Sequence, residues 1–147
     1  MSPVQIELRD SSFDSFQELI EHRKTLSEID DHGACSIFVG TMREYNGGDR
    51  VFSMQLEHYP GMTEKQLAAI VEEIKEANEL FDVLVLHRVG VITPGEEIVL
   101  VCCWSSHRKA AFDSCRAIME ALKSKAPFWK KETLNDGERW VARNTPG

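Results

Sequence analysis

The stretch from Glu97 to Arg108, EIVLVCCWSSHR, contains the strongest structural signal in the chain. Its first part, Glu97 to Trp104, has an apolar centre without polar alternation, which predicts a strand buried on both faces. Two serines follow, Ser105 and Ser106, and either can cap the helix that is predicted to start near His107 and to end before Pro127. The apolar stripe of this helix consists of Ala111, Cys115, Ile118 and Leu122. A buried strand that leads directly into an amphipathic helix is therefore the predicted centre of the fold.

Outward from this centre, alternating or apolar runs predict further strands and two more helices. The first helix is expected from about Phe13 to His22, with Ser11 or Ser12 as its cap, and the second from Thr63 to about Asn78, where Thr63 and Gln66 have capping-box spacing. The other predicted strands are Val4–Leu8, Ala34–Met42, Val51–His58, Val83–Val91 and a short Arg139–Val141. The remaining predictions are a polar, glycine-rich loop at Glu44–Arg50 and a short helical turn at Phe128–Lys131. This order predicts an α+β fold with a mixed or antiparallel sheet and about three helices.

The bulk composition predicts a single domain over residues 1–147. The chain is 42% hydrophobic and 28% charged, an ordinary balance for a globular protein that can bury a core without disulfides or metal. There is no apolar run of 18 residues and no secretory signal pattern, so a cytoplasmic location without membrane contact is expected. The cysteines form no CxxC pair, and Cys35, Cys102 and Cys103 are interpreted as buried thiols in apolar strands.

The charge is distributed unevenly. The net charge is −7, which argues against binding to nucleic acid or anionic membranes, but the window His107–Lys131 alone carries +5 and the rest carries −12. A cationic island in an acidic chain suits a small anionic ligand better than a long polyanion.

The first candidate site is the predicted helix start at Ser105-Ser106-His107-Arg108. Unpaired N–H groups and the helix dipole attract anions to such a start, and a bound phosphate or carboxylate would offset the unfavourable placement of His107 and Arg108 there. The alternative is a solvated first turn that tolerates the charge.

The second candidate lies at the other end of the same helix, in LKSKAPFWKKE from Leu122 to Glu132. Lys123 follows Leu122 and lies four residues after Met119, so its stem can run along the apolar face and its amine can act as base or nucleophile. Phe128 and Trp129 would anchor the turn that presents Lys130 and Lys131. Aromatic core anchors with solvated lysines are an equally good interpretation of the same residues.

The third candidate is Arg43, where a buried strand meets the glycine-rich loop, in a position to bind a phosphate or carboxylate. A salt bridge to Glu44 or Glu57 is the alternative. His87 and Arg88 lie within a predicted strand and are interpreted as structural. The chain contains no GxGxxG, P-loop, GxSxG or HExxH motif, which disfavours nucleotide-binding and serine-hydrolase classes.

Five motifs in order resemble the large, catalytic subunit of molybdopterin synthase. They are Phe38-Val-Gly-Thr-Met-Arg43, Leu56-Glu-His-Tyr-Pro-Gly-Met-Thr-Glu64, His87-Arg-Val-Gly90, Ser105-Ser-His-Arg108 and Leu122-Lys-Ser-Lys-Ala-Pro-Phe-Trp-Lys-Lys-Glu132. The resemblance covers roughly Gly33 to Val141, and the five in register are highly specific.

The resemblance implies an α/β hammerhead-type α+β domain, usually a homodimer at the centre of a heterotetramer. It implies a small ubiquitin-like partner whose C-terminal Gly-Gly thiocarboxylate enters the pocket. The implied reaction is the transfer of two sulfurs to cyclic pyranopterin monophosphate, which forms the dithiolene of molybdopterin, with no cofactor and no metal.

By position, the resemblance implies two catalytic lysines, Lys123 and Lys130. The implied substrate-binding residues are Thr41, Met42, Arg43, His107, Arg108, Lys131 and Glu132. Thr41 stands where some members have lysine. The expected arrangement is one pocket, with the pterin phosphate near His107 and Arg108 and the partner's tail near the two lysines. A dimeric adaptor that only holds a partner's tail is the alternative function.

Overall fold

The structure is a computed structural model that describes residues 4–141, and this range contains three α-helices and ten strands. The helices are α1 (Ser15–Arg23), α2 (Met62–Ala77) and α3 (Arg108–Ser124). The strands are β1 (Gln5–Arg9), β2 (Ala34–Thr41), β3 (Tyr45–Asn46), β4 (Asp49–Arg50), β5 (Ser53–His58), β6 (Asp82–Arg88), β7 (Gly90–Ile92), β8 (Glu97–Ser105), β9 (Phe128–Leu134) and β10 (Gly137–Trp140). The predicted α+β class with about three helices is confirmed.

Strand β8 occupies the centre of the first sheet, whose order is β1-β6-β8-β2. It pairs antiparallel with β6 and β2, and only β1 and β6 are parallel. The alternate residues Val83, Val85, Val99, Val101 and Cys103 belong to a core cluster with α2 and α3. The residues on the opposite face of the same strands form a second core cluster with Leu19 of α1. They are Leu84, Leu86, Leu100, Cys102 and Trp104. Burial on both faces, as predicted for Glu97–Trp104, is therefore confirmed.

The second sheet has the order β10-β9-β5-β7 and is antiparallel throughout. The predicted strand Val83–Val91 is divided between the sheets, because β6 ends at Arg88 and β7 begins at Gly90, where φ is +84°. Glycine adopts this left-handed conformation without a steric penalty. Leu8, Ile98 and Phe128 pack against the core clusters of both sheets and so join them.

The predicted helical turn at Phe128–Lys131 is wrong, since these residues begin β9. Pro127 ends the helical course, and Phe128 and Trp129 are aromatic residues that favour strands. The edge of β5 provides hydrogen-bond partners, with Lys130 opposite Leu56 and Lys131 opposite Gln55.

The predicted loop Glu44–Arg50 contains a small hairpin of β3 and β4. Its two turn residues, Gly47 and Gly48, have φ values of +61° and +86°, the combination that a type I′ hairpin turn requires. The predicted last strand at Arg139–Val141 instead spans Gly137–Trp140 as β10.

The predicted helix caps are wrong in each helix. Asp14 caps α1, because its Oδ1 accepts from the N–H groups of Phe16 and Gln17. At α2 the carboxylate of Glu64 accepts from the Gly61 N–H at 3.0 Å. At α3, Ser105 Oγ donates to the His107 carbonyl at 2.7 Å, so this serine is a donor and not a cap. Several polar residues near each helix start compete for the cap, and local spacing does not decide between them.

Three cysteines were predicted to be buried. Cys102 and Cys103 are buried, but Cys35 is exposed. Cys35 belongs to β2, an edge strand whose alternate residues face outward. Within residues 4–141, no helix is long and apolar enough to span a membrane.

Position 33 requires glycine because the neighbouring backbone leaves no room for a side chain. A Cβ built at Gly33 would lie 2.0 Å from the Ser106 carbonyl oxygen. We expect Gly33→Ala to lower the free energy of unfolding by about 1–3 kcal/mol, since backbone must move to admit the methyl group. Urea unfolding followed by circular dichroism measures this.

Gly47→Asn is the matched control. Nothing lies within 4 Å of a Cβ there, and Asn tolerates the φ of +61°. Its free energy of unfolding should stay within about 0.5 kcal/mol of wild type. Equal stability of Gly33→Ala and wild type would contradict the packing at this position.

Candidate functional site

A cavity of about 550 Å³ opens where the two sheets meet the C-terminal end of α3. Its charged and titratable lining residues are Arg43, Tyr45, His87, Lys123, Lys130 and Glu132. Apolar side chains, among them Leu56, Met119, Leu122 and Phe128, form much of the remaining wall. A concave, mostly apolar site with a few charged groups is typical of small-molecule binding.

Lys123 and Lys130 come together through the turn at Pro127. Lys123 lies in the last turn of α3, directly after the buried Leu122. The chain then turns, with the Ala126 N–H bonded to the Ala121 carbonyl at 3.1 Å, and β9 places Lys130 opposite Leu56. Both lysine side chains line the cavity, as the sequence interpretation placed them.

The two amines share one poorly solvated space. Burial, together with the charge and the side chain of Lys123, lowers the pKa of Lys130 to about 8, and the Glu132 carboxylate only partly opposes this. With this pKa, roughly one Lys130 side chain in ten is uncharged at pH 7. Lys130 is therefore mostly a cation at neutral pH and yet can exchange a proton there.

Arg43, Thr41 and Met42 all contribute to the lining of the cavity. Met42 is buried and tied to the Glu96 carbonyl and the Gly95 N–H at 2.9 Å each, while Thr41 and Arg43 are exposed. Glu44 pairs with Arg50 at 2.8 Å. In the described part of the chain, no salt bridge joins Arg43 to Glu44 or Glu57, so the alternative interpretation of Arg43 is wrong.

Glu132 is buried and fully engaged. One carboxylate oxygen accepts from Arg139 Nε at 2.9 Å and the other from Asn46 Nδ2 at 2.8 Å. Arg139 also donates to Asp49 at 2.8 Å and to the Asn46 carbonyl at 3.1 Å. Glu132 thus fastens the β3–β4 hairpin to β9 at the cavity rim.

Lys131 lies outside the cavity. Successive residues of a strand face opposite sides, so Phe128, Lys130 and Glu132 face the cavity, whereas Trp129 and Lys131 face away. The Lys131 amine lies 3.7 Å from Glu138 and 5.3 Å from the centre of the Trp140 ring. The sequence placed Lys130 and Lys131 together because a turn was expected where a strand occurs.

His107 and Arg108 also lie outside the cavity, at the exposed start of α3. Arg108 and Lys123 are fifteen positions apart on α3, a distance of about 22 Å along the axis. The expectation of one pocket formed by both ends of α3 is therefore wrong for a single chain.

The sequence interpretation did not anticipate His87 in the cavity wall. This side chain is buried, donates from Nδ1 to the Arg88 carbonyl at 2.8 Å, and stacks on Phe128 with ring centres 4.4 Å apart. Burial lowers its pKa to about 4, and the charges of Lys130 and Lys123 add to this effect. The available signal was a histidine within the apolar run DVLVLHR of a buried strand.

Fold and cavity together define an α+β protein with a cavity between two sheets, whose lining includes Arg43, Lys123 and Lys130. The family model of the MoaE protein matches residues 6–125. The chain belongs to the MoaE protein family.

Relatives of known name agree with this assignment. The chain is 48% identical over 136 residues to the molybdopterin synthase catalytic subunit of Ralstonia nicotianae, covering 92% of this chain and 76% of that protein. It is 50% identical over 116 residues to the Escherichia coli protein of the same name, covering 79% of this chain and 77% of that protein. The solved structure of the molybdopterin biosynthesis MoaE protein from Burkholderia ambifaria superimposes with a TM-score of 0.77 at 44% identity, covering 99% and 93%.

Lys123→Met tests the electrostatics of the cavity, because it removes a charge and keeps most of the volume. We expect the pKa of Lys130 to rise from about 8, while burial keeps it below 10.5. Competitive labelling with an amine reagent across pH, read by mass spectrometry, measures this pKa. Lys125→Met is the control, since the exposed Lys125 is not part of the cavity lining. An unchanged Lys130 pKa in Lys123→Met would show that the two amines do not interact.

Proposed function

We propose that this chain is the catalytic subunit of a molybdopterin synthase, a sulfurtransferase of molybdenum cofactor biosynthesis. Its partner is a small ubiquitin-like subunit with a C-terminal thiocarboxylate. Two sulfurs, one from each of two partner thiocarboxylates, pass to cyclic pyranopterin monophosphate to form the dithiolene, and water converts each partner tail to a carboxylate. The observation that carries this proposal is the pairing of Lys123 and Lys130 in one desolvated cavity. The printed names of relatives that are 48% and 50% identical support it.

The two lysines have different roles in this proposal. Addition of sulfur to the pterin side chain requires proton transfer near the reacting carbons, and Lys123 is the donor and acceptor. Lys130 stabilises the negative charge that develops in the transition state. Its pKa of about 8 supports this role, because burial is the main cause of the lowered value. A buried cation interacts more strongly with an anion than a cation in water does.

The substrate phosphate and the partner's tail both need cations. Arg43, exposed at the cavity mouth without an ion pair to Glu44, is available to bind a phosphate with its planar guanidinium group. Thr41 and Met42 would shape the same wall. Glu132 would act on the substrate indirectly, by holding the hairpin at the rim.

His107 and Arg108 enter this proposal through a second copy of the chain. Because about 22 Å of helix separates them from Lys123, they can join the same substrate only from another subunit. A homodimer within a heterotetramer supplies such a copy. Lys131 would then bind the partner or the substrate outside the cavity. A cytoplasmic location and a single domain over residues 1–147 stay predictions.

Lys123→Ala tests the catalytic assignment. We expect dithiolene formation to fall by at least about 100-fold, because proton transfer by a positioned side chain contributes on this scale. The measurement mixes the variant with thiocarboxylated partner and pterin substrate and follows sulfur gain by mass spectrometry. Circular dichroism and partner binding should match wild type.

Lys125→Ala is the matched control, since this exposed lysine two residues further along should leave turnover near the wild-type level. Near-normal turnover of Lys123→Ala would contradict the assignment. A wild-type chain that binds partner and substrate without any sulfur gain would indicate the adaptor.

Mixed dimers test whether one site draws on two chains. A dimer of one Lys123→Ala chain and one Arg108→Ala chain keeps one complete site if the residues act across the interface, and should show about half of wild-type activity. A dimer of one wild-type chain and one chain with both substitutions should then be inactive. Differently tagged, co-expressed chains allow both dimers to be purified. The reverse pattern of activity would place both residues in a site within one chain.

A further inference from the structure

His87 is a buried polar side chain beside an apolar core cluster. On β6 it shares a face with Val83 and Val85, which pack beneath α2 and α3. The side chain is only 7% exposed. A polar group this deeply buried is costly unless it is hydrogen-bonded, so its position calls for an explanation.

The hydrogen bond at Nδ1 defines the ring. The Arg88 carbonyl can only accept, so Nδ1 carries the proton and Nε2 bears a lone pair in the neutral ring. Because the pKa is about 4, the ring is uncharged at neutral pH. His87 therefore adds no third positive charge beside Lys123 and Lys130.

The contact with Phe128 connects the His87 ring to Lys130. The two rings are nearly parallel, at 13°. Phe128 opens β9 and lies two residues before Lys130 on the same face of the strand. From the other side, Thr63 Oγ1 donates to the Pro127 carbonyl at 3.2 Å and holds the turn.

The surrounding charges are few. The groups that line the cavity with His87 are Arg43, Tyr45, Lys123, Lys130 and Glu132. Across the sheet, β5 places His58 opposite Phe128. Burial is the largest cause of the low Lys130 pKa, ahead of the Lys123 charge, so the side chains that exclude water from this amine matter most.

We propose that His87 is a positioning residue for Lys130, a neutral ring that supports Phe128 and so keeps the Lys130 amine shielded from water. The importance of this for sulfur transfer rests on the proposed function, whereas the effect on the amine does not. His87 is suited to this place because its edge satisfies the Arg88 carbonyl while its face packs like an aromatic hydrocarbon.

Two substitutions separate the ring from its hydrogen bond. His87→Asn keeps an N–H for the Arg88 carbonyl but removes the ring, and His87→Phe keeps the ring but removes both nitrogens. We expect His87→Asn to raise the pKa of Lys130 by about one unit or more, a roughly tenfold loss of labelling rate at neutral pH. His87→Phe should keep it near 8.

The experiment uses the intact chain alone, with competitive amine labelling across pH and circular dichroism as the check on folding. His32→Asn is the matched control, since His32 also stacks on a phenylalanine, Phe81, at 4.8 Å but does not line the cavity. Phe128→Leu provides a second route if a His87 variant fails to fold, because it removes the stack and leaves His87 in place. It should also raise the Lys130 pKa.

A Lys130 pKa that stays near 8 in folded His87→Asn, or in folded Phe128→Leu, would overturn the proposal. A pKa that rises equally in His87→Asn and His87→Phe would overturn it too, since the ring would then not be the cause. Because labelling requires neither partner nor substrate, these outcomes are independent of whether Lys123→Ala abolishes sulfur transfer.

Discussion

The burial of Lys130 beside Lys123 in one cavity is the constraint on which the rest of the site depends. Neither lysine alone would make the cavity distinctive, since single lysines at helix ends and on strands are common. Together, burial in the cavity and, second to it, the charge of Lys123 lower the pKa of Lys130 from 10.5 to about 8. The fold must hold the two amines together, because in water they would separate.

This arrangement works against stability. The shift corresponds to roughly 3 kcal/mol that disfavours the protonated amine in the folded state. The folded-state pKa lies below the unfolded value, so the penalty is fully present below pH 8 and is relieved as the pH rises toward 10.5. The anchors of β9 offset this penalty: the ladder to β5, the stack of Phe128 on His87 and the pairing of Glu132 with Arg139. An anionic ligand would relieve the same penalty, which explains how binding and structure are connected here.

The sequence predicted the parts of this protein that depend on local periodicity. The apolar strand Glu97–Trp104 and the helix that follows it needed only local patterns, and so did the choice of Arg43 and Lys123 as candidate site residues. The path of the chain after Pro127 could not be predicted in this way, because β9 exists only through its pairing with β5, whose partner residues lie 70 to 80 positions earlier in the chain. That single error put Lys131 beside Lys130, whereas strand alternation separates them. His87 was interpreted as structural, and its place in the cavity wall was not predicted for a related reason, since its neighbours Phe128 and Lys130 are distant in sequence. The separation of His107 and Arg108 from Lys123 follows from helix length alone and could have been inferred from the sequence.

A structure of this chain in complex with a thiocarboxylated or carboxylated small partner would show whether the partner's tail reaches the two lysines of the cavity. The measured quantity is the distance from the partner's terminal carboxyl group to Lys123 Nζ. We expect the tail to end inside the cavity, with this distance at hydrogen-bond length, about 3 Å. A tail that ends elsewhere on the surface, with Lys123 and Lys130 out of reach, would contradict it.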